Sequence, residues 1–212
     1  MDIHAPEHPI LSWKEFFVHI VVVTCGILIA LSLEGVREMV HTHRLVRETR
    51  ENMRNEMSRD LGNCNNELNQ VILLSTQLKT LVADLPSLAK EHPEQINQRL
   101  QAIFNPGYFF TADSWQTALS TGALEHMSTE EVSAYGETSD SIRIYTQLQT
   151  EAETQENHTR SYFEAHPHLT EDQLEQGTEH LLLFARAERD LAFVAPQLKD
   201  SIETSLRAAS SP

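Results

Sequence analysis

The chain has 212 residues, with 16 Lys and Arg against 31 Asp and Glu, which gives a formal net charge of −15. A nucleic-acid-binding protein needs a basic surface that replaces the counterions on phosphate, so this balance excludes nucleic acid as a partner. Two cysteines, Cys25 and Cys64, are too few for a disulfide scaffold, and 7 Gly and 8 Pro are too few for a turn-rich β-sandwich.

An uncharged apolar segment, Phe16 to Leu33, follows an N-terminal tail of residues 1–15. These 18 residues contain no Asp, Glu, Lys or Arg, and a bilayer core needs about 20 apolar helical residues, with about 17 as the lower limit. Trp13 and Lys14 precede the segment as an interfacial anchor would. We expect one transmembrane helix over residues 16–33. The alternatives are a cleaved signal peptide, disfavoured by an N-terminal region with a single Lys, and a buried helix of a soluble protein.

Three residues inside this segment are candidate contact sites. Gly26 and Ala30 form a small-xxx-small pair, which lets two helix backbones approach closely in lipid. His19 is the one ionisable side chain at membrane depth. It is interpreted either as a neutral, hydrogen-bonded residue near the interface, or as a contact with another subunit or a ligand to a haem or chlorophyll-type pigment.

The sequence after the anchor predicts a long helix. Residues 34–60 are polar on most faces, which is typical of a solvated helical stalk. Beyond them, residues spaced by four and three predict a coiled-coil type stripe. The stripe comprises Met57, Leu61, Cys64, Leu68, Val71, Ser75, Leu78, Val82 and Leu85. Earlier apolar residues step by seven and end at Met53, so the phase changes between Met53 and Met57. Pro86 is expected to end this helix.

The remaining chain also has helical patterns. Short helices are expected over residues 94–104 and 111–121, with Gly122 as a stop for the second. Capping boxes at Ser128–Glu131 and Thr170–Gln173 predict two further helices, the first ending near Ala165 and the second ended or kinked at Pro196. The predicted fold is therefore all-α: a single transmembrane helix, a long stalk helix, and an antiparallel helical bundle over residues 61–212.

No pattern of catalytic or metal-ligating residues stands out. The sequence has one Glu-x-x-His pair, Glu38 and His41, whereas a di-iron bundle needs two such pairs and two further Glu. Cys64 lies in the apolar stripe, where a free Cys acts as a small hydrophobe. We therefore predict no catalytic site, no metal and no cofactor. The aromatic cluster of Tyr108, Phe109, Phe110 and Trp115 fits either the core of a helix junction or a partner-facing surface.

Two sequence segments resemble a known family. Trp13-Lys14-x-Phe16 with Gly26-Ile27-Leu28-Ile29-Ala30-Leu31, and Trp115-x-x-Ala118-Leu119-x-x-Gly122 followed by Tyr135, are similar to motifs of small uncharacterised bacterial single-pass membrane proteins. The resemblance covers residues 13–60 and 111–150. It implies one N-terminal span and a helical domain of unknown function on the periplasmic side. This chain departs from the family in its acidic tail and in having His19 where members often have an acidic residue.

The charge pattern favours the opposite side of the membrane. Six Arg residues lie between Glu34 and Asp60, and one Lys precedes the span, so the positive-inside rule favours a cytoplasmic domain. The expected location is thus a bacterial inner membrane, with the side of the soluble domain left open.

The sequence predicts a non-enzymatic accessory or scaffold subunit of a larger membrane protein complex. The expected partners are the lipid bilayer and other membrane subunits, or a second copy of the chain, contacted through the transmembrane helix and the heptad stripe. The alternative is a membrane-tethered sensory or signalling module that binds a ligand in the bundle and transmits a shift through the stalk.

Overall fold

A computed structural model describes residues 13–103 and 107–208, without the side chain of Glu15. It has five α-helices: α1 (Trp13–Glu91), α2 (Glu94–Ala102), α3 (Asp113–Thr121), α4 (Thr129–Ala165) and α5 (Glu171–Ala208), with a 3₁₀ turn over Ala123–His126. No strand occurs within the described ranges, so the all-helical prediction is confirmed for them. Residues 1–12 of the predicted tail, and residue 104 at the end of the first expected short helix, lie outside the described residues.

The prediction that Pro86 ends its helix is wrong, and of the two alternatives at Pro196 the ending is wrong. Pro86 lies inside α1, which continues to Glu91, and Pro196 lies inside α5, which continues to Ala208. A proline removes one backbone hydrogen bond, which weakens the helix without preventing it from continuing, and both prolines are exposed. Leu88 after Pro86 and Ile202 after Pro196 are buried, and this packing holds the helix beyond the proline.

The structure divides into two compact units, one ending at Arg47 and the other beginning at Glu48. The predicted stalk over residues 34–60 is therefore divided between them. Met53 and Met57, where the sequence predicts a change of phase, are both buried in the second unit, with exposed fractions of 0% and 1%.

Contacts in the second unit begin well before residue 61. Arg50 donates two hydrogen bonds of 2.7 Å, from Nε and Nη2, to the two carboxylate oxygens of Glu131 on α4. The same Glu131 completes the predicted capping box, since Ser128 Oγ accepts from its backbone N–H at 3.2 Å. Hydrogen bonding from Arg50 lowers the pKa of Glu131, against the opposing effect of burial. Residues of the expected stalk thus hold the start of α4.

Glu56 on α1 caps α3 from outside that helix. Its Oε1 accepts from the Thr111 hydroxyl at 2.6 Å and the Asp113 backbone N–H at 2.9 Å, and its Oε2 accepts from the Ser114 N–H at 2.8 Å. Burial alone would raise the pKa of Glu56, but these hydrogen bonds outweigh it and the pKa is lowered. Gly122, with φ of +71°, ends α3 in the left-handed conformation, as the sequence predicts.

Hydrogen bonds fix the relative directions of the three longest helices within the second unit. Ser205 Oγ donates to the Ala134 carbonyl at 2.8 Å, and Tyr162 Oη donates to the Gln173 carbonyl at 2.8 Å, so α5 runs antiparallel to α4. Arg50 pairs with Glu131, and Glu67 with Tyr145, so α1 and α4 run parallel. The return of the chain through residues 94–128 makes this parallel pairing possible.

The α4 and α5 helices approach each other closely at one glycine. A Cβ built on Gly177 would lie 2.9 Å from the Phe163 ring and 3.1 Å from the Tyr162 ring. Both rings are aromatic and packed, so they have little room to shift. Gly177 is therefore required by the close approach of α5 to α4.

Candidate functional site

The first candidate site is the exposed apolar segment of α1. Its large side chains from Phe16 to Leu33 are 42–66% exposed, and none of the most apolar 18-residue window is buried. The mean hydropathy over that window is 2.6. By the criteria of length and composition alone, this helix is long and apolar enough to cross a membrane. A signal sequence near the N-terminus would meet the same criterion.

The predicted contact residues lie within this exposed segment. Gly26 and Ala30 are four residues apart on α1 and both are exposed, and a Cβ built on Gly26 would meet nothing within 4 Å. His19 is also exposed and lies about one helical turn after Phe16. The ring of Phe16 contacts that of Trp13, with 6.1 Å between the ring centroids. The Ser32 hydroxyl donates a hydrogen bond of 2.7 Å to the Leu28 carbonyl of the same helix. The Ser32 hydroxyl is therefore satisfied within the helix.

The four residues of the aromatic cluster differ in burial. Phe110 is buried and meets the Tyr145 ring edge-on at 5.2 Å, so it is a core residue and does not face a partner. Trp115 is half-buried, with its ring 3.4 Å from where a Gly136 Cβ would lie. Phe109 is 83% exposed, and Tyr108 is half-buried. Phe109 is the most exposed of the four aromatic residues.

The second candidate site is a buried polar layer that the sequence analysis did not predict. It comprises Asp60, Cys64 and Glu67 on α1, Tyr145 on α4 and Glu188 on α5, and all five residues are at most 3% exposed. Tyr145 Oη donates a 2.6 Å hydrogen bond to Glu67 Oε1. Glu188 Oε2 is buried and has no hydrogen-bond partner among the described residues. Charged groups are almost never fully buried unless they are paired, so this layer needs a physical explanation.

Proton binding accounts for the burial of Glu188, whereas Asp60 has the lower pKa, is mostly ionised at neutral pH and lies beside Arg59. Burial, together with the nearby charges of Glu156 and Glu67, raises the pKa of Glu188 to about 7. Burial likewise raises the pKa of Asp60 to about 6, although Arg59, with Nε 3.5 Å from Oδ1, opposes this. A carboxyl group that holds its proton near neutral pH avoids the cost of a buried charge.

The chemistry of this layer is limited. Burial and the charges of Asp60 and Glu67 raise the pKa of the Cys64 thiol to about 12, so it is not a reactive thiolate at neutral pH. Within residues 13–103 and 107–208, no group of three His, Cys, Asp or Glu side chains is arranged to hold a metal ion. The layer can bind protons, and its buried hydrogen-bonding groups favour one packing of α1 against α4 and α5.

The sequence contained a signal for this layer. The stripe predicted from apolar residues places Leu61 and Leu68 in the core, yet both are only half-buried, while the preceding Asp60 and Glu67 are fully buried. Asp60 and Glu67 are seven residues apart, on either side of Cys64, so they repeat with the heptad period. A repeat of charged residues in phase with a buried stripe indicates buried polar groups.

Comparison of the chain with known protein families, with curated proteins and with solved structures gives no match. The resemblance to bacterial single-pass membrane proteins therefore stays an expectation from the sequence.

Proposed function

We propose that this chain is a non-enzymatic, membrane-anchored helical protein that acts as an accessory or scaffold subunit of a larger membrane protein complex. The observation that carries the proposal is the exposure of residues 16–33, which hold 12 large hydrophobic side chains that are exposed in the structure. Burying one such side chain contributes about 1.5–3 kcal/mol, so leaving the whole segment in water costs on the order of 20 kcal/mol. Lipid is the environment that removes this cost for an uncharged helix.

The proposed architecture has a helical bundle on the C-terminal side of the anchor. Its support is the set of side-chain bonds that tie α1 to α3 and α4, and α4 to α5, from Glu48 onwards. We place the anchor in a bacterial inner membrane. The arginine-rich stretch after the span favours a cytoplasmic bundle, whereas the family resemblance favours a periplasmic one.

Two exposed features support a role in assembly. The Gly26–Ala30 pair leaves room for a second helix to approach the backbone of α1. Phe109 presents an aromatic ring that is 83% exposed, and aromatic side chains dominate the binding energy of protein interfaces. A subunit that works by contact needs such surfaces and needs no catalytic group.

The test is the native mass of the intact chain purified in a mild detergent. We expect a mass well above that of the monomer, reduced by Gly26→Leu, because the larger side chain prevents close helix approach. Cys25→Leu is the matched control, since Cys25 is exposed on a neighbouring face of the same turn. A monomer at every protein concentration in the wild-type preparation would contradict the proposal.

The second candidate function is a sensory module that binds a ligand in the bundle. The buried Glu188 carboxyl favours it, because its Oε2 has no hydrogen-bond partner among the described residues and is available to a ligand. A ligand that binds the folded state raises the melting temperature. An unchanged melting temperature across a metabolite screen and a pH series would rule out this alternative.

A further inference from the structure

A groove runs between α1 and α5 on the surface of the second unit. Its floor is apolar and consists of Val82, Leu182 and Ala185, and its rim carries three basic residues, Lys79, Arg186 and Arg189. The groove has a volume of about 370 Å³ and is open to solvent along its length, with Leu182 52% exposed. We refer to these six residues as the α1–α5 groove.

The exposed apolar surface continues beyond the α1–α5 groove in both helices. Ile72 lies seven residues before Lys79 on the same face of α1, and Phe193 lies seven residues after Arg186 on the same face of α5. They are 53% and 72% exposed. From Ile72 to Val82 the surface spans roughly 15 Å, at 1.5 Å per residue, which is close to three helical turns. An elongated apolar surface of this length fits a helix better than a compact small molecule.

The charge around the groove is opposite to that of the chain. Residues 61–212 hold 22 acidic and 9 basic residues, yet α1 has no acid from residue 68 to 83 and α5 none from 180 to 187. Asp190 is the acid that approaches the rim, with Oδ2 3.9 Å from Arg186 and Oδ1 3.7 Å from Arg189. Both arginine side chains are nevertheless about two-thirds exposed, at 71% and 67%. The groove therefore offers three accessible cations beside an apolar floor.

This charge pattern discriminates between possible occupants. A second copy related by a two-fold axis would place Lys79, Arg186 and Arg189 against the same three residues, and like charges in contact oppose association. An acidic helix would instead match all three cations. Complementary charges of this kind speed association and exclude other partners.

We propose that the α1–α5 groove docks an acidic amphipathic helix that belongs to a different subunit of the complex. Apolar residues of that helix at i, i+3 or i+4 and i+7 lie on Val82, Leu182 and Ala185, and its flanking carboxylates pair with the three basic residues of the rim. This inference rests on the proposed function as a subunit, and it names the chemistry of the partner.

The experiment is site-specific photo-crosslinking of the intact chain in its native membrane. A photoreactive benzoylphenylalanine replaces Leu182, and the matched control places it at Ile144, which is 45% exposed on α4. The crosslinked fragment is identified by mass spectrometry. We expect an acid-rich helical segment of another protein from position 182 alone. A fragment of a second copy of this chain, a crosslinked lipid, or no product at position 182 would each overturn the inference.

Charge reversal provides the second measurement. Arg186→Glu with Arg189→Glu is expected to lower the yield of that crosslink at least ten-fold, because both rim charges then repel the acidic helix. Arg143→Glu with Arg207→Glu, at exposed positions away from the groove, is the control for the same change in net charge and is expected to retain the crosslink. Equal yields from the two double variants would overturn the inference.

The two proposals fail in different ways. If the wild type has the mass of a complex and the Arg186→Glu, Arg189→Glu variant keeps that mass, the groove inference is wrong and the proposed function stands. If the wild type is a monomer, both are wrong. Loss of one acidic partner from the complex of the double variant supports both.

Discussion

Replacing Glu188 by Gln is expected to stabilise the protein above neutral pH. The folded-state pKa of Glu188 is about 7, raised first by burial from an ordinary value of 4.5. Between these two values the folded protein binds the proton more tightly than the unfolded chain, so stability falls as the pH rises. At 1.36 kcal/mol for each pKa unit, the loss is about 3 kcal/mol, complete above pH 7 and absent below pH 4.5. Gln has the same shape and never carries the charge.

The assay is urea unfolding of the intact chain in mild detergent, followed by circular dichroism at pH 4.5 and pH 8. We expect Glu188→Gln and the wild type to have similar free energies of unfolding at the lower pH, with the variant about 3 kcal/mol more stable at the higher pH. Comparing each variant with the wild type at the same pH cancels the titration of other groups. Glu179→Gln, at an exposed position on the same helix, controls for net charge and is expected to change stability by at most about 0.5 kcal/mol. The reasoning is refuted if Glu188→Gln is the less stable protein at pH 8.

Further predictions concern the second unit, each measured as the free energy of unfolding of the intact chain. Arg50→Ala removes both bonds to Glu131 and is expected to cost about 1–3 kcal/mol near neutral pH. This loss shrinks in acid, because the pKa of Glu131 is lowered in the fold and its stabilising charge disappears as the pH falls through that value. Glu56→Gln leaves one acceptor oxygen for three donors and is expected to lower the free energy of unfolding by about 1–2 kcal/mol. An unchanged free energy of unfolding would mean that Glu56 does not stabilise the start of α3. Gly177→Ala is expected to cost about 1–3 kcal/mol through overpacking, whereas Gly62→Ala, with nothing within 4 Å, gains up to about 1 kcal/mol. The same sign for both glycine variants would contradict the close α4–α5 approach.

Local sequence patterns predicted local structure well. The capping box at Ser128 and the stop at Gly122 are present as expected, because each depends on residues a few positions apart. The Thr170 cap is also present, with Gln173 N–H donating to its Oγ1 at 3.3 Å. The prediction that Pro86 ends its helix was wrong because Leu88, a buried residue beyond the proline, holds the helix together. The α5 helix likewise continues past Pro196 to the buried Ile202.

Contacts between distant residues could not be read from the sequence. Glu56 caps α3 from 57 positions away from Asp113, and Arg50 binds Glu131 across 81 positions, so no local pattern marks either carboxylate as a structural partner. The buried layer was missed for a related reason. Asp60 and Glu67 occupy positions next to apolar Leu61 and Leu68, and hydrophobicity alone favours the leucines. Which of two adjacent positions is buried depends on the orientation of α4 and α5 around α1.

The most direct test of the central claim is the partition of the intact chain between membrane and soluble fractions after alkaline carbonate washing. The account predicts that the chain stays in the membrane pellet, is released only by detergent, and retains residues 16–33 by intact mass. A chain of full mass in the soluble fraction, or a mature protein that lacks this segment, would contradict it.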